Sequence, residues 1–179
     1  MRESHLTIGV VIDLPEPHST VVRRWRGRVG DPQADLIPPH VTLLPPTGVA
    51  AQDMATVRAE LTEAAQTVMP FAMHLSGTGT FRPLSKVVFV QVACGIAQCE
   101  LLEAAIRRGI LAREPDFPFH PHVTVAHDID EQSLDAAYEG LSDFVARFQV
   151  DRFALCIRGH DGVWKAEQDF PLGVAPSGY

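Results

Sequence analysis

An internally duplicated α+β domain is the fold class this sequence predicts, and two observations carry the expectation. The tetrapeptide Pro-His-Val-Thr occurs twice, in PHVTLL beginning at Pro39 and in PHVTVA beginning at Pro121. Around each copy the hydrophobic pattern reads strand, helix, motif strand, helix, strand. The full order, β-α-β-α-β-β-α-β-α-β-β, favours an α+β architecture over a parallel α/β sheet. No low-complexity linker separates the halves, so residues 1–179 are expected to form one domain of two lobes packed as a single folding unit.

Each element follows from local chemistry. LTIGVVIDL is rich in β-branched residues and reads as a buried strand that Pro15 and Pro17 end. STVVRRWRGRVG reads as a helix, with Ser19 or Thr20 as its N-cap and a stop near Gly27 or Gly30. DPQADLIPP is a loop. HVTLL is the first motif strand, and Pro45–Pro46 are expected to stop it. Asp53 is placed to cap a helix through MATVRAELTEAAQTVM, where Met54, Val57, Leu61, Ala64, Ala65 and Val68 recur at helical spacing. FAMHLSGTGTF and KVVFVQVAC read as strands, and Gly95 breaks the second. AQCELLEAAIRRGIL reads as a helix and REPDFPFHP as a loop. HVTVAH is the second motif strand, followed by a helix over DEQSLDAAYEGLSDF. VARFQVDRFALCIRG is strand-rich, HDG is a turn and VWKAEQDF a final strand; GVAPSGY is expected to be loose.

Composition narrows the function. The chain has 179 residues, 46% hydrophobic and 21% charged, which is enough for a core without staples. Fifteen Lys and Arg face 22 Asp and Glu, a formal charge of −7, and this argues against a long nucleic-acid surface. A nucleotide or an RNA terminus needs only a local positive pocket. Cys94, Cys99 and Cys156 are odd in number and follow no metal or redox spacing, as expected of reduced thiols in a cytoplasmic protein. MRESHLTIGVVIDLPEP has strand character and an internal Asp13, unlike a signal peptide, and no run is long enough to span a membrane. The protein is expected to be a cytoplasmic monomer.

The repeated motif supplies chemistry. Side chains alternate along a strand, so His40 and Thr42 share one face while Val41 and Leu43 share the other; His122 and Thr124 lie likewise against Val123 and Val125. If the halves are related by approximate two-fold symmetry, the two polar pairs face each other across a cleft. One imidazole can then remove a proton from a nucleophile while the other protonates a leaving oxygen, with a pH profile bracketing neutrality. Hydroxyls beside them can hold phosphate oxygens. A four-residue identity can also simply open two strands; its recurrence in corresponding places of two similar halves weighs against that.

Two His-x-Thr-x segments, one in each half, resemble the two-histidine phosphoesterase superfamily, and PHVTLLPPT is similar to its 2′-5′ RNA ligase-like members. The resemblance implies a bilobal fold with two antiparallel sheets lining a central cleft. It also implies metal-independent, cofactor-free action on 2′,3′-cyclic or 2′-5′-linked phosphodiesters, with RNA ligation as the reverse reaction. His40, Thr42, His122 and Thr124 take the catalytic positions by that resemblance. Many members have an arginine three residues after the second threonine; His127 stands there in this chain. A common aromatic after the first motif is replaced by Pro45–Pro46.

His127, Arg82 and Lys86 are therefore candidate phosphate contacts, and His120 is expected in a loop near the cleft. Arg23, Arg24, Arg26 and Arg28 read as a solvated helix face with Trp25 partly buried. His5, His18, His74 and His160 show no partner pattern. GTGTF lacks the strand-to-helix context of a phosphate loop, and no Gly-x-Ser-x-Gly is present. Two rivals stay open: a nucleotide- or RNA-end-binding module without turnover, and a metal hydrolase using His120, His122 and His127.

Overall fold

The computed structural model describes residues 5–173; the expectation for GVAPSGY falls mostly outside them. The elements are β1 (His5–Asp13), α1 (His18–Arg28), β2 (His40–Ala50), α2 (Met54–Ala65), β3 (Phe71–Thr80), β4 (Val87–Cys94), α3 (Ile96–Ile106), β5 (His122–His127), α4 (Glu131–Gly140), β6 (Val145–Val150), β7 (Arg152–Arg158) and β8 (Trp164–Pro171). Short 3-10 turns cover Ala51–Asp53 and Gly109–Leu111.

All strand pairs are antiparallel, in the order β6-β3-β4-β5-β2-β1-β7-β8. The two antiparallel sheets implied by the sequence are the halves β6-β3-β4-β5 and β2-β1-β7-β8 of this curled sheet. They join at the motif strands, where Val41 pairs with Val123. The repeated unit is strand-helix-motif strand: β1-α1-β2 matches β4-α3-β5. The chain then sends both β3 and β6 to the second half and β7 and β8 to the first. Space and sequence therefore divide the molecule differently.

The helices tie the halves together. α1 packs on β5 and α3 packs on β2, so each repeat's helix reaches the other repeat's motif strand. One hydrophobic core results, running from Ile8, Val10 and Val41 in the first half through Leu75, Val90 and Val123 in the second. A small separate cluster of Val11, Ala154 and Cys156, backed by Trp164, lies in the first half-sheet. Among the described residues no helix is long and apolar enough to cross a membrane, and all three cysteines are free.

Four local expectations change. β2 does not stop at the prolines. It continues to Ala50, because Pro45 and Pro46 fall in a register shift between the pairs Val10↔Leu44 and Ile8↔Thr47, where missing N–H donors cost little. Neither Ser19 nor Thr20 caps α1; the Thr20 N–H is satisfied at 3.0 Å by the Glu16 carboxylate. Asp53 precedes α2 without a side-chain cap bond, and that helix ends at Ala65, one turn early. Finally, VARFQVDRFALCIRG is two strands, β6 and β7, broken at Asp151. The Asp130 side chain caps α4, accepting from Ser133 N at 2.9 Å, and Gly95, at φ +101°, makes the left-handed step between β4 and α3 that a side chain would resist.

Candidate active site

The site grows from the Val41–Val123 pair. Both valines are 1% exposed and belong to the hydrophobic core, so the pleat turns their neighbours to the opposite face of the sheet. In an antiparallel register, His40 then stands across from Thr124 and Thr42 across from His122. The four motif side chains form one half-buried patch at the centre of the curled sheet.

Each imidazole is oriented by a carbonyl two residues upstream. His40 Nδ1 lies 2.8 Å from Pro38 O and His122 Nδ1 lies 2.6 Å from His120 O. A carbonyl only accepts, so Nδ1–H donates in both rings and each neutral imidazole keeps its lone pair on Nε2. The Thr42 hydroxyl donates to His40 Nε2 at 3.1 Å. The motif prolines help set this geometry: each holds the residue before it extended, presenting that residue's carbonyl to the ring.

The two histidines differ in their surroundings. Burial pushes His40 down to about 4; the Arg26 guanidinium and His122 add to the effect, and the Pro38 carbonyl opposes it. Burial also lowers His122, with neighbouring His120 acting in the same sense and the His120 carbonyl against. His122 sits among aromatic rings: Phe81 meets it edge-on and Phe89 lies tilted, each with its centroid 5.1 Å away. Behind His40 lies a buried ion pair, Arg26 Nε to Asp31 Oδ2 at 2.9 Å, and Arg26 also donates to Ile37 O at 2.7 Å. Arg26 is thus removed from the solvated face predicted for it: α1 turns it inward at 3% exposure. Arg28 does stay outside, over the Trp25 ring at 4.8 Å.

Three cavities converge on the patch. The largest, about 290 Å³, touches Thr42 and His122 and is walled by the loop from Arg113 to His120. A second, about 160 Å³, lies between His40, Thr42 and Trp164. The third, about 130 Å³, is lined by His40, Thr124, His127, Arg26 and Asp31. His127 therefore reaches the patch, with its Nε2 3.2 Å from Asp128 Oδ2. Arg82 and Lys86 line none of the three cavities. Arg82 is bonded to Glu131 at 3.0 Å and Asp135 at 2.8 Å, and Lys86 to Glu131 at 3.4 Å, clamping the β3–β4 connection to α4. His120, His122 and His127 do not form a ligand set; among the described residues no group of three or more His, Cys, Asp or Glu gathers as metal ligands. Sequence reasoning passed over Arg113, Trp164 and the inward role of Arg26, because each reaches the site through contacts distant in sequence.

Two Nε2 lone pairs beside two hydroxyls, in a half-buried patch lined by cavities, can take a proton on one side of a phosphodiester and return one on the other. A curled antiparallel sheet with a His-x-Thr pair from each repeat at its centre defines a two-histidine phosphoesterase. The family model of the 2′-5′ RNA ligase superfamily matches residues 14–162, and the chain belongs to that superfamily. Among curated proteins, it is 29% identical over 145 residues to a Bacillus cytotoxicus protein assigned by name to the phosphoesterases, covering 80% of this chain and 84% of that one. A Bacillus mycoides protein of the same description is 28% identical with the same coverage. Among solved structures, E. coli LigT complexed with 3′-AMP superposes with a TM-score of 0.68 at 20% identity, over 94% of this chain and 99% of that one. TT0787 of Thermus thermophilus superposes at 0.61 and 22% identity, over 93% and 98%. These likenesses are of fold.

Proposed function

We propose that this protein hydrolyses 2′,3′-cyclic or 2′-5′-linked phosphodiesters of nucleotides or RNA ends by general acid-base catalysis between His40 and His122, using no metal. The observation that carries the proposal is the antiparallel Val41–Val123 register, which gathers His40, Thr42, His122 and Thr124 on one face with both Nδ1 atoms already committed to carbonyls. The binding of 3′-AMP, ATP and NADP+ by LigT, a protein of the same fold, agrees with a small nucleotide substrate.

His40, held the lower of the two, stays neutral over the wider range and acts as base: its Nε2 takes a proton from water as the oxygen attacks phosphorus. The bond from phosphorus to one ribose oxygen breaks, and that oxygen receives the proton of cationic His122 from Nε2. The products are a phosphomonoester and a ribose hydroxyl, and the two rings have exchanged protonation states. Thr42 and Thr124 hydrogen-bond the non-bridging oxygens, where charge rises. An RNA 5′-hydroxyl that attacks a 2′,3′-cyclic phosphate in place of water, with the bond to the 3′-oxygen breaking, gives a 2′-5′ linkage, and this ligation is the reverse of cleaving such a linkage to the cyclic phosphate.

A panel of 2′,3′-cyclic mononucleotides, 2′-5′ and 3′-5′ dinucleotides, followed by phosphorus NMR, tests this. Turnover of the cyclic or 2′-5′ substrates to a single phosphomonoester isomer is expected. Tight nucleotide binding without turnover of any of them would make the protein a binding module instead.

A further inference from the structure

The 290 Å³ cavity holds more than the patch requires. A cyclic phosphate is engaged by the four motif side chains, yet this cavity extends away from Thr42 and His122 along the loop that carries Arg113, Pro115, Phe117 and Phe119. Two arginines line it, and they differ. Arg107 is committed: its Nε lies 2.6 Å from Glu103 Oε1, and its Nη1 donates to the Arg113 carbonyl at 3.0 Å. Arg113 is half-buried, and one of its nitrogens donates to Thr47 Oγ1 at 3.1 Å. Among the described residues no carboxylate lies within ion-pair distance of it, and most of its five N–H donors are unused. Its backbone is fastened through Arg107 and its side chain through β2, so the guanidinium is held in place while its charge is uncompensated.

A fixed, uncompensated guanidinium in a partly apolar cavity beside a phosphodiester site suits a second phosphate, which it can meet with two parallel hydrogen bonds. We infer that Arg113 binds a phosphate group of the substrate other than the one being cleaved. The inference rests on the reading that the motif residues cleave a nucleotide phosphodiester, and it narrows the substrate class to molecules with at least two phosphates. That second phosphate can be a 5′-phosphate on a mononucleotide or the next phosphodiester of an RNA end. Two carboxylates line the same cavity: Glu103 is paired with Arg107, and Asp116, which has no such partner among the described residues, opposes an anion there.

The test compares adenosine 2′,3′-cyclic phosphate carrying a 5′-hydroxyl, its 5′-phosphorylated form, and a dinucleotide ending in the cyclic phosphate. For the unmodified protein, kcat/KM is expected to favour a doubly phosphorylated substrate by about tenfold or more, the worth of a charge-assisted bond. A gain with the 5′-phosphate arm identifies a mononucleotide substrate, and a gain with the dinucleotide alone identifies an RNA end. In Arg113→Gln the ratio should fall towards one, mainly through KM, and Arg113→Lys should restore part of it. Asp116→Asn should raise the ratio. Calorimetric binding of adenosine 3′,5′-bisphosphate against 3′-AMP separates the two readings. An Arg113-dependent preference for the bisphosphate without turnover of any substrate would sink the catalytic reading and keep the anion site. Turnover with no preference for a second phosphate, or a preference that survives Arg113→Gln in a protein of unchanged Tm, would overturn the inference.

Discussion

His40 and His122 occupy the same motif but not the same field. The ring orientation is common to both, because it depends only on a carbonyl two residues upstream. The difference comes from burial and charge: burial, with the Arg26 cation and His122, pushes His40 down to about 4, while burial with His120 lowers His122. Both rings are held below the usual imidazole value, so each is neutral in the folded protein where an unfolded chain would already bind a proton. Stability from His40 is then fully present above about pH 6.5 and is lost as pH falls towards about 4, at most about 3 kcal/mol. Urea unfolding at pH 7.5 and 5 should show the part of this loss already reached at pH 5, about 2 kcal/mol, in the unmodified protein and a smaller one in His40→Gln; equal losses would place the acid sensitivity elsewhere. Activity shifts in the same direction. The form with neutral His40 and protonated His122 is most populated between about 4 and the lowered His122 value. The kcat/KM profile should therefore peak on the acid side of neutrality rather than bracket it. The motif strands and the shared face of each His-Thr pair were legible because they are local; the asymmetry was not, since it depends on burial and on a cation from α1.

At the scale of elements, the segment from α1 to β2 is the support for His40. Arg26 leaves α1 inward, pairs with Asp31, and holds the Ile37 carbonyl just ahead of Pro38, whose own carbonyl sets the His40 ring. Removing one partner of a buried pair leaves a charge without compensation. Asp31→Asn should cost about 3–5 kcal/mol in chemical unfolding and should lower activity even under conditions where the variant is folded. A loss below about 1 kcal/mol would show the pair to be unimportant for stability. Four arginines within six residues read as a solvated face, because one sequence cannot say which of them the helix turns inward. The strand behaviour of Pro45–Pro46 was hidden for a similar reason: a proline pair stops a regular ladder, but opposite Gly9 the ladder is already shifted. The motif strands and the β4 strand were legible, since each is signalled by its own residues.

For the whole molecule, the duplication seen in the sequence is real in the strand-helix-motif strand units, and the fold then exchanges their helices. With α1 on β5 and α3 on β2, the two motif strands are held together by far more than the Val41–Val123 pair. This is why the chain behaves as one core rather than two, a pairing that no local pattern announces. The chemistry proposed for that junction uses only imidazoles and hydroxyls, so turnover should be unchanged by excess EDTA and by added Mg²⁺ or Zn²⁺ afterwards. Loss on chelation with recovery on adding metal would favour a metal hydrolase.

The central claim is that His40 and His122 act as one catalytic unit, and the kinetics of their alanine variants test it most directly. On the best cyclic phosphodiester, His40→Ala and His122→Ala should each lower kcat by about 10²–10⁴-fold, with Tm showing that both remain folded. The double variant should be little worse than either single one, because removing the second member of a broken acid-base pair removes nothing further. A folded His40→Ala or His122→Ala protein that keeps near-normal kcat, or a double variant whose loss is the product of the two single losses, would contradict the account.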